Sequence, residues 1–298
     1  SGRALTAHHA MVVAPVIDVI GRTREPVELP PLPDDPHALV GDMQELAAGI
    51  TVKTYRQVYN EAVSNKDTMH QLFDLGYLSL VERAHVERLY NRILERVAKV
   101  IAGLDYVPEE FEGLSTWLAD TYVVNFSVFQ SLPDHWAIHA LFPIMPLARL
   151  NERPGRRATL ADISCDSDGK ITKFVDLRDV ASTLPVHDPR PDEEYLLGMF
   201  LTGAYQDVLA NAHNLFGRVA EAHVRLQGDG GIEIERVVGG QKARRVIENM
   251  GYETEELLAW LGEEIDEARS SGVALTPDAE AALRELYGHE LVGYTYLE

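Results

Sequence analysis

Cysteine is nearly missing from this 298-residue chain: Cys165 is the only one, which excludes an internal disulfide framework and fits a reducing compartment. Basic charge is also short. Against 47 acidic residues stand 27 lysines and arginines, a net charge of −20, so the field of the whole chain repels nucleic acid and anionic membranes while drawing in cations. No uncharged apolar run approaches the ~18 residues that a membrane span requires, and the first residues carry no signal-peptide pattern. A soluble, cytoplasmic protein is the expectation. Also missing are a G-x-G-x-x-G frame between a strand and a helix, since Gly239-Gly240 follows a hairpin, and a G-x-S-x-G elbow, so neither a dinucleotide site nor a Ser-His-Asp hydrolase is argued. There is no internal repeat and no low-complexity tract. With 46% hydrophobic and 25% charged residues, what remains is an ordinary globular composition that can bury a sizeable core in one or two domains.

The pattern along the chain changes period several times. Ala4 to Ile20, rich in Val, Ile and Ala and broken by Pro15, reads as one or two strands. On a strand His8 and His9 would point to opposite faces and could not chelate together. Glu25 to Pro36 holds five prolines and reads as a linker. Helical spacing follows, with Val86, Leu89, Ile93, Val97 and Val100 on one apolar face; helices are expected over His37 to Ile50, Thr54 to Leu75 and Ser79 to Leu104. Strand signals return from Leu114 to Ile234: Thr121 to Phe129, Ala158 to Ile163, and a hairpin joining Ala222–Gln227 to Ile232–Glu235 through a glycine-rich turn. Gln206 to Phe216 reads as one amphipathic helix. The end is helical again, over Gln241 to Met250, Thr254 to Ser270 and a segment opened by Thr276-Pro277-Asp278, with Glu255, Glu256, Glu263, Glu264, Asp266 and Glu267 on a solvated face. The expected organisation is α+β: first strands of a β-barrel or sandwich domain and a linker over 1–34, an inserted helical bundle over 35–112, the rest of the β-domain over 113–240 and a C-terminal helical region over 241–298.

Two spots carry chemistry. Cys165-Asp166-Ser167-Asp168-Gly169 places a thiol beside two carboxylates in a turn at a strand end, where rigid strands commonly present sites. Plainer readings are a small buried hydrophobe and a turn whose side chains bond their own backbone. A calcium loop is excluded: with Ser164 in the first position, the twelfth is Val175 where a bidentate Glu is needed. The second spot is Gly203-Ala204-Tyr205, where a glycine admits close approach of backbone to a ligand and the tyrosine hydroxyl can donate to a phosphate oxygen. The plainer reading is a buried tyrosine capping the barrel.

Taken in order, Ser1-Gly2-Arg3, Ala7-His8-His9, Asn125-Phe126-Ser127-Val128-Phe129-Gln130-Ser131, Cys165 to Gly169, Gly203-Ala204-Tyr205 and the ending Gly293-Tyr294-Thr295-Tyr296-Leu297-Glu298 resemble the C-terminal half of biosynthetic arginine decarboxylases. These are pyridoxal-phosphate enzymes of the alanine-racemase-like fold, related to ornithine decarboxylase. The resemblance implies the C-terminal β-barrel domain of a fold-type III decarboxylase with an inserted helical bundle, the β/α-barrel half being absent. It implies conversion of L-arginine to agmatine and CO2 for polyamine synthesis, in a homodimer or higher oligomer. Arg3 resembles the phosphate-contacting arginine of the Gly-Arg motif and Tyr205 the Gly-Ala-Tyr tyrosine beside the same phosphate. Cys165 resembles the thiol that reaches the partner's cofactor and returns a proton to the carbon that lost CO2, Asp166 the carboxylate that binds the distal cation of the substrate, and Asp134, more loosely, a second such carboxylate. No lysine here, Lys53 and Lys170 included, sits in a context resembling the cofactor-bearing lysine, which the resemblance assigns to the N-terminal β/α-barrel half together with the acidic residue on the pyridine nitrogen. No metal ligand is assigned, and a need for Mg2+ stays open. Two rivals remain: a related ornithine or lysine decarboxylase, and a non-catalytic regulatory or scaffolding partner of a full-length enzyme.

Overall fold

The computed structural model describes residues 2–21, 28–101, 103–104, 111–177, 179–228 and 230–297. Ser1, positions 25–27 of the proline-rich stretch, Asp229 of the hairpin turn and Glu298 lie outside the described residues.

The chain opens with helix α1 (Gly2–Thr6), a 3-10 turn (Ala7–His9) and strand β1 (Met11–Ile20). This corrects the expectation of strand from Ala4 on. The Thr6 hydroxyl donates to the Gly2 carbonyl, and the backbone carbonyls of Ala7 and Ala10 accept from Gly203 and Thr202, so these groups are satisfied without a ladder partner. His8 and His9 therefore do not alternate across a strand; both are exposed and their rings lie 4.2 Å apart.

Helices α2 (Ala38–Ala48), α3 (Tyr55–Asp74) and α4 (Leu80–Ile101) fall where the 3.6 period placed them, followed by α5 (Glu112–Leu118). Their inward stripes, including Met43, Ala62, Met69, Val86, Ile93 and Val97, form one core. Buried Glu82 ties the bundle together: Oε1 accepts from His37 N at 2.7 Å, and Oε2 accepts from Ser79 N at 2.8 Å and Ser79 Oγ at 2.5 Å. These hydrogen bonds hold its carboxyl below the ordinary range, the Ser79 hydroxyl most of all, against the opposing effect of burial.

The bundle is inserted between β1 and β2 (Asp120–Val124), which pair antiparallel. Short helices α6 (Val128–Ser131) and α7 (Pro133–Ile138) come next, ending the strand five residues before the expected Phe129, because the Ser127 side chain accepts from Gln130 N and caps α6. Then follow β3 (Ile144–Pro146), β4 (Arg156–Ala161), β5 (Lys170–Ile171), β6 (Phe174–Val175), β7 (Val180–Ala181), β8 (Leu184–Val186) and β9 (Leu196–Phe200). The main sheet has seven strands in the order β3-β9-β1-β2-β4-β5, with β8 also on β4; β2 and β4 are parallel and the other pairs antiparallel. Pro15 marks the point where β1 passes from pairing with β9 to pairing with β2, beside an irregularity between Val16 and Asp18 that bends the sheet toward a barrel. Tyr122, Phe126, Leu160, Leu197 and Met199 fill this second core.

After β9 come α8 (Gln206–Leu209) and a 3-10 turn (His213–Leu215), not the single helix expected over Gln206 to Phe216. Ala210 turns extended, the Asn211 side chain takes the His213 N–H, and Asn214 and Leu215 adopt left-handed φ of 55° and 62°. The hairpin of β10 (Glu221–Leu226) and β11 (Ile232–Val238) and helices α9 (Ala243–Asn249), α10 (Thr254–Ser270) and α11 (Pro277–Leu291) complete the chain, close to expectation. Thr276 caps α11 by accepting from Ala279 N, and the acidic residues of α10 are exposed. The tail returns to the sheet, where Asn125 donates to Leu297 O at 2.7 Å and accepts from Leu297 N at 3.2 Å. This is an α+β chain with a helical bundle inserted into a barrel-like sheet, as expected. No helix among the described residues is long and apolar enough to cross a membrane.

Candidate active site

Residues from three distant stretches form the first cluster. Gly203 lets the chain's first turns lie against the end of β9: a Cβ there would stand 2.2 Å from Thr6 O and 3.1 Å from both Ala10 N and Ala7 O. That contact delivers Arg3. Its Nη2 donates to Asp134 Oδ2 at 2.5 Å, and the guanidinium lies 5.1 Å from the centre of the Tyr205 ring, which takes a left-handed φ of 71°. Asp134, in the first turn of α7, is 4% exposed, whereas Tyr205 is 51% exposed. Gln206, 2% exposed, locks the pair: Nε2 donates to Asp134 Oδ2 and to Ala204 O, both at 2.9 Å, while Oε1 accepts from Asp134 N at 3.2 Å. The buried carboxylate thus has a cation and an amide as partners.

The second cluster is the turn after β4. Asp162 builds it, its Oδ1 accepting from Ser164 N and Oγ at 2.9 and 2.6 Å and its Oδ2 from Val128 N at 2.8 Å. Asp166 closes it by accepting from Asp168 N at 2.8 Å. Cys165 is exposed, which sets aside the reading of a buried hydrophobe. Across from it the left-handed 3-10 turn presents two side chains. Asn214 accepts from Cys165 N at 3.1 Å and donates to Cys165 Sγ at 3.3 Å, and His213 Nε2 lies 3.5 Å from Asp166 Oδ2. The His213 ring packs 4.4 Å from Phe129, which packs on Trp136.

Of the five residues singled out in the sequence, Arg3, Asp134 and Tyr205 meet in one cluster, and Cys165 and Asp166 in the other. Asp134 faces Arg3, and no bond joins it to Asp166. Helices α6 and α7 run between the clusters: Asn211 N donates to Phe129 O, and His135 Nε2 sits 3.3 Å from Lys170 O. Gln206, His213 and Asn214 went unmarked in the sequence, although all three follow Gly-Ala-Tyr within the segment read as a helix. Among the described residues no group of three His, Cys, Asp or Glu side chains could hold a metal ion. A cavity of about 350 Å³ between β3, β8 and the β6–β7 pair is lined by none of the five.

Comparison with known proteins follows the same division. Residues 33–115, which hold the helical bundle, match the family model of the arginine decarboxylase helical bundle domain. The biosynthetic arginine decarboxylase of Deinococcus radiodurans is 56% identical over 300 residues, taking in 100% of this chain and 45% of that protein. This chain is a relative of the biosynthetic arginine decarboxylases. That of Gloeobacter violaceus is 42% identical over 302 residues, 100% of this chain and 46% of its own length. The crystal structure of the biosynthetic arginine decarboxylase of Campylobacter jejuni superposes with a TM-score of 0.79 at 29% identity, over 99% of this chain and 47% of that one. The chain spans about half the length of the arginine decarboxylases it matches.

Proposed function

We propose that this chain is the C-terminal portion of a pyridoxal-phosphate-dependent arginine decarboxylase, a carboxy-lyase that turns L-arginine into agmatine and CO2 for polyamine synthesis in the cytoplasm. The observation that carries the proposal is the 56% identity to the Deinococcus enzyme along the whole of this chain. The remaining β/α-barrel half supplies the lysine that bears the cofactor, so this chain by itself is inactive.

The first cluster fits the cofactor's phosphate. Only Nη2 of Arg3 has a hydrogen-bond partner among the described residues, leaving other N–H groups of its planar fork for phosphate oxygens. The exposed Tyr205 hydroxyl supplies a further donor, and Gly203 keeps the backbone close. When bound, pyridoxal phosphate supplies the electron sink that lets the substrate carboxylate leave. The second cluster then handles the substrate. Asp166 pairs with the guanidinium, and Cys165 Sγ returns a proton to the carbon that lost CO2. The two clusters serve different cofactors of a homodimer, with Cys165 and Asp166 reaching across the interface. Asp134 acts through Arg3, and a second contact to the substrate would require that ion pair to open. Among the described residues no group of three His, Cys, Asp or Glu side chains gathers to hold Mg2+, so no residue is assigned to it.

Asp166→Asn in the complete enzyme tests the reading. The substitution removes a charge-assisted pair of about 1.5 to 3 kcal/mol, so arginine should bind about 10- to 100-fold more weakly with cofactor affinity unchanged. Equal loss for arginine and pyridoxal phosphate would contradict it, and a fully active variant with unchanged arginine binding would remove Asp166 from the substrate site.

A further inference from the structure

Gln206 stands apart from the residues that resemblance marks. It is almost completely buried, yet its amide is fully committed, with both functions of one side chain used on Asp134 and on the carbonyl of Ala204 in the turn before α8. Its orientation is fixed by those partners: Oε1 faces the Asp134 N–H, and Nε2 faces two acceptors. Asp134 Oδ2 in turn receives both Gln206 Nε2 and Arg3 Nη2. Arg3 is 41% exposed, and among the described residues its guanidinium is held by Asp134 and the Tyr205 ring. The carboxylate that aims Arg3 is thus itself aimed by Gln206.

We propose that Gln206 is a positioning residue for the cofactor phosphate, acting through Asp134 on Arg3. This rests on the reading of Arg3 as the phosphate contact. With Gln206 in place, Asp134 has one rotamer, and the Arg3 fork presents its free N–H groups in one direction beside the Tyr205 hydroxyl. Without it, Oδ2 loses a donor and the Asp134 N–H its acceptor, and the guanidinium follows the carboxylate as it turns.

The test uses the complete enzyme stripped of cofactor and titrated with pyridoxal phosphate and, separately, with pyridoxal, which lacks the phosphate. Gln206→Met keeps the length of the side chain and removes its hydrogen bonds. Affinity for pyridoxal phosphate should fall roughly tenfold, the loss that one hydrogen bond to a charged group carries, while affinity for pyridoxal stays unchanged. At saturating cofactor, kcat and the KM for arginine should return to the parent values. Gln206→Glu keeps the acceptor for the Asp134 N–H but sets an anion against its carboxylate, and should show the same selective loss. Equal loss for both ligands, no loss for either, or failure of both variants to fold would make Gln206 a structural residue and overturn the proposal. Arg3→Ala separates the two readings. If it leaves pyridoxal phosphate affinity intact, the phosphate site itself is misassigned; if it weakens binding while both Gln206 variants do not, only the present inference fails.

Discussion

Gly169→Ala tests how the Cys165 turn is held. A Cβ at Gly169 would stand 2.1 Å from Asp162 Oδ1, 2.5 Å from Ser164 Oγ and 2.7 Å from Asp162 Cγ. A flexible side chain could swing aside, but Asp162 cannot. Its carboxylate accepts from Val128 N and from Ser164 N and Oγ, and its own N–H donates to Gly169 O at 2.8 Å. Relief therefore breaks at least the two bonds at Oδ1. Hydrogen bonds to a charged group contribute about 1.5 to 3 kcal/mol each, and the freed carboxylate recovers part of this from water. The net loss is then about 2 to 4 kcal/mol, after the few tenths by which alanine restricts the unfolded chain. The urea midpoint, followed by tryptophan fluorescence, reports the loss if the slope is unchanged. Alkylation of Cys165 by iodoacetamide reports displacement of the turn. The double variant Gly169→Ala/Asp162→Ala should lose little more than Asp162→Ala alone, since trimming Asp162 removes the collision. A Gly169→Ala stability within about 0.5 kcal/mol of the parent, or full additivity in the double variant, would refute the reasoning.

Glu82→Gln should cost about 1 to 3 kcal/mol at neutral pH by weakening the charged link between the starts of α2 and α4. The Glu82 carboxyl is held below its ordinary range in the folded protein, so its contribution is complete above the unfolded value and is lost as pH falls through the folded one. The variant should accordingly lose less stability on acidification, and an acid limb as steep as the parent's would contradict the assignment. Gly203→Ala meets backbone atoms that cannot rotate away, so the first turns should lift from β9. Amide exchange of Thr202 and Gly203, which donate to Ala10 O and Ala7 O, should accelerate about a hundredfold, and unchanged exchange would show that the contact yields at no cost.

Much of the fold was legible because burial imposes a period. Helices α2 to α4 carry wide apolar stripes facing one core, and their observed ends lie within a few residues of those expected. The failures share another cause. Ala4 to Ala10 has the composition of a strand, but Gly203 offers it a surface against which helical turns fit. Asn211 and Asn214 sit in a helical pattern, yet their short amides bond backbone and thiol instead, breaking the helix after Leu209. The Cys165 turn was readable because its groups are adjacent in sequence. The other cluster was readable only in pieces, since nothing local tells that Asp134 pairs with Arg3 or that Gln206 fixes both.

The central claim is that the two clusters serve different cofactors of one dimer. Subunits of the complete enzyme lacking the cofactor-bearing lysine are mixed with subunits carrying Cys165→Ala, and decarboxylation of arginine is measured once subunit exchange is confirmed. Each parent should be nearly inactive. A shared site predicts that random mixing restores about a quarter of the activity of the unsubstituted enzyme, since half the dimers are hybrids and each hybrid holds one intact site of two. No recovery would mean that the Cys165 turn serves its own subunit, contradicting the account.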